Sequence, residues 1–210
     1  MARPQTDHDE MREQLLDCAE QIIRERGPVA PTVTEIAAKC GMSQSNVYRF
    51  FPNKDALFEA SVERWFAPFN DIMDEVVESD LEPREKLFQF FARRAALKAA
   101  RYEEDPDYFQ SCMTLGEEYS DVVMGYIDLA DHYMAIILGE AISAGYFAGM
   151  TIDQLVSPVN LMLQPYCDPE LTMRYPTATE KNLRIIVDTI FDGLRGDREV
   201  QKSEPLRLAS

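Results

Sequence analysis

Apolar residues recur along most of this chain at intervals of three and four, and alternation with a period of two is nearly absent. The pattern predicts helices and no sheet. The first amphipathic stretch, residues 9–26, sets Leu15, Leu16, Ala19, Ile22 and Ile23 on one face and stops at Gly27–Pro28. Two short helices are expected over 33–40 and 43–50, then a longer one over 53–78. A break at Glu82–Pro83 precedes a helix over 84–103. Asp105–Pro106 opens the next, because Asp is a good N-cap and proline suits the first helical position. A long helix should cover 121–144 and end at Gly145. Another should run from Thr151 to Gln164–Pro165, followed by a short turn at 168–171. Thr177-x-x-Glu180 then reads as a capping box for a last helix reaching Gly193 or Gly196. The expected architecture is all-α, about nine helices in all, with a polar, frayed tail from Asp197.

The segment from 32 to 57, TVTEIAAKCGMSQSNVYRFFPNKDAL, can be read residue by residue. Thr32 and Glu35 form a Thr-x-x-Glu capping box, so a helix begins at Val33 and buries Ile36, Ala37 and Cys40. Gly41 suits the left-handed conformation that ends a helix, Met42 plugs the corner, and Ser43 is the next N-cap. Val47 and Phe51 continue the buried stripe, leaving Gln44, Ser45, Asn46, Tyr48 and Arg49 outward. Pro52 stops this helix and Asn53 caps the next. Two short helices joined by a glycine corner, with a third behind them, form a helix-turn-helix. Amides and hydroxyls at the start of an exposed helix suit base edges in the major groove. Tyr48, Arg49 and Lys54 suit phosphate oxygens, which set register without reading sequence.

Thr32 to Ala37, Gly41–Met42–Ser43 and Val47 to Leu57 together resemble the DNA-binding domain of the tetracycline-repressor (TetR) family. The resemblance covers residues 10–66, and its Tyr-x-x-Phe-Pro-x-Lys block is specific. It implies a DNA-binding transcriptional regulator rather than an enzyme. By position it makes Thr34, Gln44, Ser45 and Asn46 base-facing, and Tyr48 and Lys54 phosphate clamps. Ser45, Asn46 and Phe50 stand where Gly, Thr and Tyr or His are usual. The first two departures bear on which operator is read, and Phe50 has no hydroxyl to offer a phosphate.

Charge first argues against a DNA partner, since the chain carries a net −16. Its distribution changes the picture. Residues 1–65 hold 8 Lys and Arg against 11 Asp and Glu, whereas the remaining 145 hold 13 against 26. Between Glu35 and Asp55 there is no acid, while Lys39, Arg49 and Lys54 are present. The reading surface is expected to be a local positive island with salt-sensitive binding. The 210 residues suffice for a sizeable core and a division at 66, with a helix-turn-helix domain over 1–66 and a helical regulatory and dimerisation domain over 67–210. No uncharged apolar run reaches membrane length, and MARPQTDHDEMREQ lacks a signal-peptide core, so no membrane partner and a cytoplasmic location are expected. The four cysteines, Cys18, Cys40, Cys112 and Cys167, are scattered, so reduced thiols are expected, with no metal and no cofactor. Two histidines, no glycine-rich phosphate loop and no nucleophile–base spacing argue against catalysis.

A DNA reader needs only the first 66 residues, so the rest has a second task. Leu183, Ile186 and Ile190, with Leu194, Val187 and Phe191, form a broad stripe on the last helix. It can close its own domain or pair with a second copy. The resemblance implies pairing as a homodimer through the last two long helices, with two-fold symmetry. Residues 88–166 are rich in aromatics and methionine, a composition that fits either core or a largely apolar small-molecule site. Candidates there are Phe91, Phe109, Met113, Tyr126, Tyr133, Met162 and Tyr166, with Arg94 and His132 as polar contacts. The resulting expectation is a dimeric repressor released from a double-stranded, two-fold operator by a small, largely apolar inducer. Control by a protein partner, or none, is the alternative.

Overall fold

A computed structural model of the chain describes residues 5–169, 171 and 178–194, with side chains from His8 onward. Among the described residues there are nine helices and no strand. They are α1 (Gln5–Arg26), α2 (Val33–Lys39), α3 (Gln44–Val47), α4 (Lys54–Glu78), α5 (Pro83–Glu104), α6 (Pro106–Glu118), α7 (Ser120–Ser143), α8 (Ile152–Cys167) and α9 (Glu180–Gly193). The chain packs as two compact units, and α4, α5 and α7 contribute residues to both. One unit comprises the residues up to 72 together with 96–130; the other comprises 73–95 and the residues from 131.

In the first unit three of the predicted local signals act as read. Thr32 Oγ1 accepts from the Glu35 amide at 3.2 Å, and Glu35 Oε2 accepts from the Thr32 amide at 2.8 Å, which closes the capping box of α2. Gly41 takes φ +68°, and the Gly41 and Met42 amides donate to the Ala38 and Ala37 carbonyls, which satisfies two carbonyls at the helix end. Asn53 Oδ1 accepts from the Ala56 amide at 2.7 Å and starts α4. Leu15, Ala19 and Ile22 of α1 pack with Ile36, Val47 and Leu57 into one core that also holds Phe51 and Phe58. Two readings need correction. α3 stops at Val47 rather than Phe50, because 48–51 continue only as a tight turn, with Arg49 and Phe50 donating three residues back. Cys18 and Cys40 are not reduced thiols but a disulfide, with Cα atoms 6.1 Å apart. The 22-residue separation hid the pair, which α1 and the end of α2 bring together.

In the second unit, α5 and α9 are joined by reciprocal charges. Arg84 donates to Asp188 and Asp192, while Arg184 donates to both oxygens of Glu85 at 2.6 and 3.1 Å and lies over the Phe88 ring. The buried Lys86 ammonium donates to the Val77 carbonyl and pairs with Glu140 of α7. Phe147 holds φ +55°, a conformation costing a side-chain-bearing residue about 1–2 kcal/mol, and its ring is buried 4.9 Å from that of Phe191. α8 continues through Pro165 to Cys167, beyond the expected stop. Proline removes one donor, but the ladder resumes when the Asp168 amide donates to Gln164. The cap of α9 is Thr179, whose hydroxyl accepts from the Asn182 amide; Thr177 and the tail from Asp197 lie outside the described residues. By length and composition α7 is long and apolar enough to cross a membrane, but it is not an uncharged run. It carries Asp121, Asp128, Asp131 and Glu140, and in this unit buries Met134, Ile137, Leu138 and Ala141.

The Thr32 amide, then Arg26 and the Thr32 hydroxyl, hold the Glu35 carboxyl down at about 2. Its depressed value means the stabilisation is complete above the ordinary carboxylate range and is lost as pH falls from there towards about 2. Thr32→Ala should cost about 1 kcal/mol of stability. Glu35→Gln should flatten the acid limb of unfolding followed by circular dichroism between those two pH values.

Candidate nucleic-acid interface

Seven residues were expected to face DNA, all in the first unit. Thr34 on α2, Gln44 and Ser45 on α3, Tyr48 and Arg49 in the following turn, and Lys54 at the start of α4 are all exposed. Asn46 is half-buried, its amide nitrogen 3.8 Å from the Met42 sulfur and its oxygen 3.5 Å from Arg49. Ser43 caps α3 only by position. Its hydroxyl lies 3.0 Å from that of Ser45 and makes no bond to the helix backbone. The corner is braced from α1. Arg12 donates to the Phe50 carbonyl at 2.6 Å and lies 4.2 Å from the Phe51 ring centroid, while the His8 ring packs 4.9 Å from Phe50.

Ion pairing sharpens the charge on this face. Lys39, counted above as part of the positive island, is paired with Glu25, and Arg26 is paired with Glu35. Among the described residues no ion pair engages Arg49 or Lys54, so these two retain their charge for another partner. Three acids of α1 are engaged away from this face. Glu13, Asp17 and Glu20 all accept from Arg64 of α4, and Arg24 reaches from Glu20 to Asp105, the N-cap of α6, while stacking 3.7 Å from the Tyr108 ring.

The nine expected effector-binding residues divide between the units. Phe109 is buried in the first, with Met113 and Tyr126 partly so. Phe91, Arg94 and Tyr166 are buried in the second; Arg94 lies 4.6 Å from the Phe90 ring and Tyr166 donates to the Thr179 carbonyl at 3.1 Å. His132 is exposed, Tyr133 donates to Asp74, and Met162 is on the surface. The side chains missed by sequence reasoning come from α4. Trp65 meets Phe109 and Tyr108 edge-on, and Phe66 stacks on Tyr126 at 4.2 Å. Arg101 donates to the Trp65 carbonyl at 2.8 Å and covers the Trp65 and Phe69 rings, its pKa lowered by burial. Asn70, one turn beyond Phe66, has a buried side-chain oxygen with no hydrogen-bond donor. The spacing of 65, 66, 69 and 70 on one helix was the available signal.

A family model described as bacterial regulatory proteins of the tetR family matches residues 15–61. A second, described as a tetracyclin repressor-like C-terminal domain, matches residues 83–187. The chain belongs to the TetR family. It is a DNA-binding transcriptional regulator and not an enzyme. The fatty acid metabolism regulator protein of Bacillus subtilis is 24% identical over 136 residues, 63% of this chain and 68% of that protein. Among solved structures, the fatty acid degradation regulator FadR of Bacillus halodurans aligns with a TM-score of 0.57 at 18% identity, over 87% of this chain and 99% of that one. NalD, the secondary repressor of the MexAB-OprM multidrug efflux pump in Pseudomonas aeruginosa, aligns with a TM-score of 0.61 at 16% identity, over 92% and 100%. These structural likenesses concern the fold.

The residues expected to pair two copies of this TetR-family chain divide by burial. Leu183, Val187, Ile190 and Phe191 are buried within their own unit, with Ile186 and Leu194 partly covered. The apolar side chains left outside on the last helices are Leu161 at 70% exposure and Ile185 at 55%, with Ile152 and Met162 less open. Arg101→Met should lower stability by about 1.5–3 kcal/mol through the lost charged hydrogen bond. It should also shift the emission of Trp65, the only tryptophan of the chain, in an unfolding titration read by fluorescence.

Proposed function

We propose that this regulator is a dimeric repressor, released from a two-fold operator by a small, largely apolar ligand carrying a hydrogen-bond donor. In this reading residues 1–66 are the reading domain and 67–210 the regulatory and dimerisation domain. The observation that carries it is the exposure of Gln44, Ser45, Tyr48, Arg49 and Lys54 around the Gly41 corner, in a segment free of acids from 36 to 54. Gln44, Ser45, Asn46 and Thr34 meet base edges, and Tyr48, Arg49 and Lys54 meet phosphates. A two-fold operator requires two such faces one helical turn apart, and the open apolar surface of Leu161, Met162 and Ile185 supports an isologous contact through α8 and α9.

The ligand class rests on the aromatic group around Trp65, Phe66 and Tyr126 and on the orphaned Asn70 oxygen, which seeks a donor. The names of relatives concerned with fatty acid metabolism and multidrug efflux agree with an apolar effector. α4 carries both Lys54 and this aromatic face. Displacing it would move the phosphate contact, and Arg64 would carry the displacement to α1. Ligand and DNA then compete only to the extent that the ligand discriminates between the two conformations.

Operator fragments selected from random DNA by the purified chain provide the assay. Gln44→Ala should cost about 1–3 kcal/mol at one base position. Lys54→Ala should weaken all sequences alike and reduce the salt slope by about one. Fatty acids of graded length and uncharged apolar compounds should release the fragment and alter Trp65 emission; ligand-indifferent binding across the panel would reject induction. Leu161→Glu should yield monomers in sedimentation and lose the two-fold footprint while leaving the fold intact.

A further inference from the structure

The disulfide of the reading unit lies at a mechanically telling place. Cys18 sits mid-way along α1 with its side chain in the core, and Cys40 is the C-cap of α2, immediately before the Gly41 corner that aims α3. Their Cα separation of 6.1 Å is inside the span a disulfide bridges without backbone movement. The bond can therefore form and break within one fold. Cys40 is partly exposed, and the Gln14 carbonyl oxygen, 3.5 Å from its sulfur, can accept from the reduced thiol. The pair thus has a satisfied open state as well as a bridged one. Cys112, in the same unit, differs: burial above all keeps its thiol protonated, pushed up to about 11. It is a free thiol and not half of a bridge.

We propose that Cys18 and Cys40 form a reversible oxidation site that staples the helix-turn-helix corner to α1, so that thiol redox state sets how far the DNA-reading unit resists unfolding. The oxidant is a low-molecular-weight disulfide. The Cys40 thiolate, the more accessible of the two, attacks one of its sulfurs; that S–S bond breaks, a mixed disulfide forms on Cys40, and one small thiol leaves with a proton. The Cys18 thiolate then attacks Cys40 Sγ, the mixed bond breaks, and the second small thiol leaves. Two protein thiols are oxidised and one disulfide is reduced to two thiols; a dithiol reductant reverses the sequence.

The closed loop contains the end of α1, the 27–32 connection and all of α2. Cross-linking it removes conformations mainly from the unfolded chain. The bridged and open forms therefore share one reading geometry and differ in stability. A staple of this kind widens the temperature range over which the regulator holds DNA under oxidising conditions and narrows it under reducing ones. The inference depends on the DNA-binding function of the family and not on the identity of an inducer.

The test uses the full chain incubated with oxidised glutathione or with dithiothreitol, followed by alkylation and mass mapping, thermal melting and operator-fragment binding. The oxidised sample should yield a peptide linking the Cys18 and Cys40 segments. Its melting midpoint should exceed that of the reduced sample by on the order of 5 °C or more. Cys40→Ser and Cys18→Ala should each abolish the difference. The oxidised and reduced wild-type samples provide the comparison that needs no mutation, should the buried Cys18 position tolerate change poorly. At temperatures below both midpoints the two forms should bind the fragment alike; between the midpoints only the bridged form should hold it. Failure to form the linked peptide in the folded chain, equal midpoints, or loss of binding by the bridged form at low temperature would each overturn the proposal.

Discussion

The placement of α1 is the constraint on which the first unit depends. Leu15, Ala19 and Ile22 supply the apolar floor on which α2, α3 and the start of α4 rest, and burying a leucine or isoleucine side chain contributes about 1.5–3 kcal/mol. α3 spans only Gln44–Val47 and cannot hold an orientation by its own hydrogen bonds. Its direction comes from three supports. These are the left-handed Gly41 behind it, Val47 and Phe51 beneath it, and the Arg12 guanidinium of α1 on the Phe50 carbonyl at its end. A reading face built this way is as rigid as its seat on α1 and no more.

The acidity of the chain follows a related logic. A strongly negative protein that reads DNA must keep carboxylates from cancelling its few exposed cations. Glu13, Asp17 and Glu20 are held by Arg64, with Glu20 shared by Arg24, and Glu25 and Glu35 neutralise Lys39 and Arg26. The positive island is smaller than the spacing of basic residues implies, reduced to Arg49 and Lys54. The same pairs do structural work by tying α1 to α4 and α6. Charge that looks unhelpful in the composition is thus spent on positioning the reader.

What could be read in the sequence was local. The Thr32–Glu35 box, the Gly41 corner, the Asn53 cap and the Asp105–Pro106 start each involve residues within a few positions of one another, and each formed as read. Family resemblance added the function, because the Tyr-x-x-Phe-Pro-x-Lys block is specific. Readings failed where the outcome depends on distant packing. The stripe of α9 was legible, but whether Leu183 and Val187 faced a second copy or their own core depended on α5 and α8, which no spacing within α9 reports. Likewise nothing near Cys18 announces Cys40, and nothing near Tyr126 announces Phe66. Pro165 failed for a different reason: proline weakens a helix by one bond, and surrounding packing decides whether that ends it.

The two kinds of contact made by α1 differ in how easily they yield. Its core face meets α2, α3 and the start of α4 through buried apolar side chains, and separating them would expose that surface at a cost of several kcal/mol. Its polar face meets α4 and α6 through partly exposed ion pairs of Arg64 and Arg24, each worth about 0–1 kcal/mol, plus the Arg24–Tyr108 stacking. A ligand shifting the equilibrium can draw on only its differential affinity, about 5.5 kcal/mol for a change from almost all of one state to almost all of the other. That suffices to rearrange the polar face but leaves little to break the core face as well. Within this unit the Arg24 and Arg64 contacts are therefore the ones that yield first, and the apolar seat of α2, α3 and the start of α4 on α1 yields last. The Cys18–Cys40 bond joins α1 to the end of α2 and so lies on the side of the unit that yields last.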